Sequence, residues 1–234
     1  MPQPTASTAS FDLNPELKRW TMLAQDFQRL AMQILRVTTY QGTPIRRLGV
    51  TSLARQAGTT SVAMQLAAAI SNSGNHSVIL VDANRKYSWF DREFPGNGPG
   101  FLSALSGDVE IADCIHSTTI SGLSVVTLGK PVWANVDYGE QSLSDVFEGL
   151  SEHADLVIVD LPVIDNSDHN LAIFPHLDGV LLVLTPRLAQ LKFADPIKHL
   201  SSLTNGSRKQ YGQYRSSHRE RSPIGSRMEP HSCQ

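Results

Sequence analysis

Three stretches of this chain are unbroken apolar runs of strand length, each beside an aspartate: 78-VILVDAN-84, 155-DLVIVDLP-162 and 178-DGVLLVLTP-186. A strand with one wet face alternates polar and apolar residues. A run without alternation is covered on both faces, as in a parallel sheet between helix layers. These runs are far too short to span a bilayer. RLGVTS at 47–52 and LSVVTL at 123–128 add two further strands. Helical spacing marks Val62, Leu66, Ala69 and Ile70, with Gly74 as the stop, and again Leu143, Val146, Phe147 and Leu150 near 141–153. Strands alternating with helices predict an α/β fold: a doubly wound parallel sheet in three αβα layers. With 41% hydrophobic residues the chain can fill such a core.

The flanks differ in composition. Residues 1–13 are rich in Ser, Thr, Pro and Ala and predict a disordered N-terminus. Trp20, Leu23, Phe27, Leu30 and Ile34 form one helical face, expected to pack on its own domain rather than on a partner. A helix is expected at 189–203, and the strand that should follow it is missing. Residues 205–234 hold six Lys or Arg against two Glu and little to bury, the composition of a disordered basic tail. The domain proper is therefore expected over 14–204. A net charge of −2 favours neither nucleic acid nor an acidic membrane globally. Cys114 and Cys233 lack metal spacing and suggest a reducing compartment. The start has neither a basic nor an apolar segment of the kind a signal peptide needs, so the expected location is cytoplasmic.

The stretch 50-VTSLARQAGTTSVAMQLAAAIS-71 reads as strand, loop and amphipathic helix. That is the context of a phosphate-binding loop, in which backbone N–H groups and a helix N-terminus face anionic oxygens. Gly58 stands at the glycine before the usual lysine, Thr59 replaces that lysine, and Thr60 stands where a hydroxyl holds Mg²⁺. Ser61 follows, and Gln56 occupies the earlier glycine position. The bland reading is a small-residue turn capped by the AGTTS hydroxyls. Asp82 and Asp160, each ending an apolar strand, favour the site, because strand carboxyl ends converge on the ligand crevice of a doubly wound sheet. Arg55 offers a guanidinium from within the loop.

Other residues carry less. His153, His169 and His176 lack ligating spacing. No G-x-S-x-G elbow supports a hydrolase triad. Trp89 and Phe90 read as a contact surface or as residues buried under the next loop. Asp165 and Asp168 read as loop residues, the second capping a helix.

With these residues in view, the chain resembles the cytoplasmic kinase domain of bacterial tyrosine kinases that control capsule and exopolysaccharide synthesis, relatives of the ParA and MinD ATPases. The resemblance runs from about Gln25 to about Leu184. It rests on DFQRLAMQIL, GVTS, VILVDAN with Phe94, GFLSALSGDVEIADCIH, LSVVTLGK and HADLVIVDLPVIDNSDHNLAIFPHLDGVLLVL. It implies a loop around ATP or ADP phosphates, with Mg²⁺ held by Thr60, Asp82 and Asp160. It also implies catalytic roles for Asp82 and Asp160, and a membrane polysaccharide co-polymerase or chain-length regulator as the partner at the inner face of the membrane. Departures accompany it. The lysine is Thr59, the basic residue after the second motif is Lys86, and the charged oligomerisation motif falls on Gln25, Gln28 and Ala31. The loss of those charges argues against the family's ring assembly. The tail carries only Tyr211 and Tyr214. The expectation is a degenerate phosphate-loop protein with weak or no catalysis. The rivals are an active tyrosine autokinase, a partition-type ATP switch and a ligand-free interaction protein.

Overall fold

The computed structural model describes residues 10–19, 23–94, 98–129, 140–164 and 172–185. Its centre is a six-stranded sheet in the order β3-β4-β2-β5-β1-β6. The strands are β1 (Arg47–Ser52), β2 (Val78–Asp82), β3 (His116–Ser117), β4 (Leu123–Val126), β5 (Leu156–Asp160) and β6 (Gly179–Val183). Five run parallel; β3 pairs antiparallel with β4 at one edge. The doubly wound parallel sheet expected from the apolar runs is present, with one short antiparallel strand added at that edge. HSTTI is too short and polar to register as a strand, and only its pairing with Ser124 and Val125 makes it one.

Strand periodicity feeds two cores. Val78 and Leu80 face one layer, with α3 (Thr59–Ser71), while Ile79 and Val81 face the other, with α5 (Phe101–Leu105) and α6 (Glu140–His153). The aliphatic residues of β2 and β5 are buried on both faces, as their composition predicts. Helix α3 is itself nearly enclosed, because α2 (Ala24–Ile34) packs across its outer side. Ala63, Ala67 and Ala68 keep that sandwich thin. On α2, Leu30 and Ile34 pack against the core and Ala31 is fully buried, while Leu23 is exposed. The expected stripe therefore faces its own domain, although Trp20 lies outside the described residues. Gln25 and Gln28 are exposed, whereas Ala31 lies against the domain itself.

The N-terminal segment differs from expectation. Phe11 and Leu13, assigned by composition to a disordered stretch, are buried. The Phe11 backbone donates to Ser117 and accepts from Thr119, extending the sheet edge, and its ring meets Phe94 edge-on at 4.7 Å. A short helix α1 (Asn14–Arg19) follows. Two apolar residues in a polar stretch give no periodicity, so only the groove beside β3 reveals their role. Helix α4 (Trp89–Glu93) buries Phe90 completely and leaves Trp89 half-buried, which decides for burial. Residues Asp165, Asp168 and His169, the 189–203 helix and the basic tail lie outside the described residues.

Gly100, which precedes α5, lies against Gly129 after β4. A side chain at Gly100 would meet the Thr127 carbonyl and the backbone of Gly129, neither of which can swing aside. At Gly49 the atoms met belong to the tips of Leu177 and Leu161, which can turn. Gly100→Ala is expected to lower unfolding free energy by roughly 1–3 kcal/mol, and Gly49→Ala by less, in urea titrations. Equal losses would show that the Gly100–Gly129 approach has room to relax.

Candidate functional site

The loop from β1 to α3 turns sharply twice. Gly58, the N-cap of α3, has φ 87°, and Gln56 has φ 58°. Glycine takes this left-handed region freely; a residue with a Cβ pays about 1 kcal/mol. The structure thus asks for glycine at position 56, and the sequence supplies glutamine. The expected hydroxyl cap is absent among the described residues: the N-cap is Gly58, which has no side chain to accept from the leading N–H groups, and the first turn of α3 holds no acid. Leading N–H groups without a side-chain cap are what an anion at a helix N-terminus requires.

Behind the loop the strand ends converge. Asp82 of β2 lies in register with Asp160 of β5. Thr60, in the first turn of α3, donates from its hydroxyl to Asp160 Oδ2 at 2.6 Å. Asp82 Oδ1 accepts the backbone N–H of Asn84 at 2.9 Å, and its Oδ2 accepts the Ser88 hydroxyl at 2.7 Å. Ser88 also caps α4, accepting from the Asp91 N–H at 3.0 Å. Asp160 Oδ1 is buried with no hydrogen-bond partner among the described residues.

Two carboxylates side by side in a dry site resist ionisation. Burial pushes Asp82 up to about 6, against the opposing bonds from Ser88 and Asn84. Burial, and then the neighbouring Asp82, push Asp160 well above the usual carboxylate range, with the Thr60 bond pulling the other way. A divalent cation would relieve both charges. The donors are hard oxygens, two carboxylates and a hydroxyl, and one carboxylate oxygen lacks a partner. That set suits Mg²⁺, which takes one or two carboxylates and completes its shell with water and phosphate.

Among the sequence-selected residues, the fold brings Thr60, Asp82 and Asp160 together and sets Gly58, Thr59 and Ser61 at the head of α3. Arg55 is turned toward Tyr87, donating to its hydroxyl at 2.8 Å. Of the histidines, His153 bonds the Gly149 carbonyl and His176 stacks on Phe147. No cluster of three or more metal-ligating His, Cys, Asp or Glu side chains occurs among the described residues. Two site residues escaped the sequence reading. Ser88 was signalled by the S-x-x-D pattern of 88–91, a helix-start signature. Tyr87 had no signal at all.

The architecture has known counterparts. The chimerical protein CapA2B2 superposes with a TM-score of 0.64 at 20% identity, over 85% of this chain and 88% of that one. The kinase domain of VpsO gives 0.61 at 20% identity, covering 82% and 93%. MinD from Pyrococcus horikoshii, solved with Mg-ADP, gives 0.56 at 19% identity, covering 67% and 65%. The fold is that of a phosphate-loop NTPase. Bacterial tyrosine kinase domains and MinD ATPases share it, and at these identities the likeness speaks for the fold alone. No family model and no curated protein matches the sequence.

The buried acids generate a pH prediction. Asp82 is protonated more readily folded than unfolded, so the stability this contributes is complete below about pH 4 and is lost as pH rises through about 6. Asp82→Asn is expected to gain on the order of 3 kcal/mol over the native chain at pH 8, and almost nothing near pH 4. Urea unfolding across that range measures it; a difference that does not vary with pH would mean the pair is solvated.

Proposed function

We propose that this chain is a nucleotide-responsive regulatory protein of the phosphate-loop class, with weak or no phosphoryl transfer. The observation that carries the reading is a retained acid–hydroxyl cluster under a helix start without a side-chain cap, combined with threonine at the lysine position. Thr60, Asp82 and Asp160 stay within reach of one another. The group that normally neutralises the outer phosphates is replaced by Thr59.

Binding and catalysis respond differently to that loss. The leading N–H groups of α3 and the loop backbone would hold ATP or ADP phosphates. Thr60, Asp82 and Asp160 would hold Mg²⁺, directly or through water. When bound, the ion supplies charge neutralisation between phosphates and carboxylates. Phosphoryl transfer further needs a positioned cation as charge moves onto the leaving oxygens. Losing one such donor typically costs about 2.7–4 kcal/mol, a hundred- to thousandfold in rate.

The sequence resemblance extends the proposal to setting. A membrane polysaccharide co-polymerase or chain-length regulator is the proposed partner, which would bring the protein to the inner face of the membrane. No helix among the described residues is long and apolar enough to cross a membrane. The rival readings, an active tyrosine autokinase or an ATP-driven partition-type switch, both require turnover or strong nucleotide closure despite Thr59.

Thermal unfolding with Mg·ATP and Mg·ADP tests the reading, with Thr59→Lys alongside. A ligand that binds only the folded state stabilises it by about 2.7 kcal/mol at a hundredfold excess over Kd. The native chain is expected to shift upward with nucleotide, and the lysine variant more. No phosphate is expected on Tyr211 or Tyr214. Shifts absent from both proteins would exclude the nucleotide site, and rapid tyrosine phosphorylation would favour the autokinase.

A further inference from the structure

The phosphate loop contains one cation. In 53-LARQAG-58 only Arg55 is charged, and position 59 is threonine. The Arg55 guanidinium donates from Nη1 to the Tyr87 hydroxyl at 2.8 Å, and its central carbon stands 5.3 Å from the centroid of that ring. The two side chains come from the two segments that bound the site. Arg55 lies on the loop between β1 and α3. Tyr87 lies on the turn after β2, five residues beyond Asp82 and next to Ser88. Both are exposed, Tyr87 by 60%, so the core does not demand the contact. A guanidinium takes phosphate oxygens through two parallel charge-assisted bonds, a stronger pairing than one bond to a neutral phenol.

We propose that Arg55 is the phosphate-binding cation of this loop and that Tyr87 holds it in reserve, so that Tyr87 sets the affinity for Mg²⁺-bound nucleoside di- and triphosphates. The inference rests on the nucleotide reading above. Phosphates entering the loop draw Arg55 away from Tyr87, and the broken guanidinium–phenol contact is subtracted from the binding free energy. The loop thereby recovers a cation from a position three residues before Gly58.

Calorimetric titration of Mg·ATP into the native chain, Tyr87→Ala, Arg55→Ala and the double variant tests this. Tyr87→Ala is expected to tighten binding about three- to tenfold, the loss of one exposed cation–aromatic contact and one hydrogen bond. Arg55→Ala is expected to weaken it at least tenfold. The double variant should bind like Arg55→Ala alone, because the gain requires the arginine. Without nucleotide, the three variants should melt together, a few degrees below the native chain, because each lacks the same contact. A gain that persists without Arg55 overturns the inference. Equal affinities in all four overturn it and leave the nucleotide reading standing. No heat from any of the four removes the nucleotide reading, and the inference falls with it.

Discussion

Parallel pairing of β5 between β1 and β2 is the constraint on which the site depends. Parallel strands put all their carboxyl ends on one edge. With β5 in the middle, Asp160 sits beside Asp82 and under the loop that leaves β1. The pairing is secured by burial: β5 faces both cores, through Val157 and Val159 on one side and Leu156 and Ile158 on the other. A shift of one residue would send each set to the wrong layer and separate the two acids. Hydrophobic burial therefore holds in place a charge arrangement that opposes folding.

The second tension is in the loop. Gln56 takes a backbone conformation suited to glycine, and α3 begins without a side-chain cap. Both are costs to the folded chain, and both fall where an anion would be held. Such concentration of strain and unmet hydrogen-bonding capacity is the pattern expected where function, rather than stability, decides local structure. The Thr59 side chain has no part in this geometry, which is made by the backbone and by the strand ends.

Much of this was legible in residues. Non-alternating runs imply cover on both faces, so β1, β2, β4, β5 and β6 and the layers around them follow from composition and spacing. Asp82 and Asp160 stood out because each terminates an apolar strand, and Thr60 because of its place after Gly58 and Thr59 in the loop pattern. Phe11 and Leu13 did not, since two apolar residues in a polar stretch carry no period. The antiparallel β3 did not either, since a two-residue pairing takes its stability from its neighbour. The hydroxyls of AGTTS looked like a cap and form none, because a left-handed Gly58 takes the N-cap position.

What the sequence determined by itself is the class of fold and the identity of the acids, because side-chain period and strand-end position are local properties. Tertiary structure alone decided which groups meet. The register that places Asp82 beside Asp160, the bond from Ser88 to Asp82 and the reach of Arg55 to Tyr87 all depend on segments brought together through space. Charge and hydrogen bonding act over a few ångströms. Arg55 and Tyr87 lie 32 positions apart in the chain, a separation that says nothing of the 2.8 Å between their polar atoms.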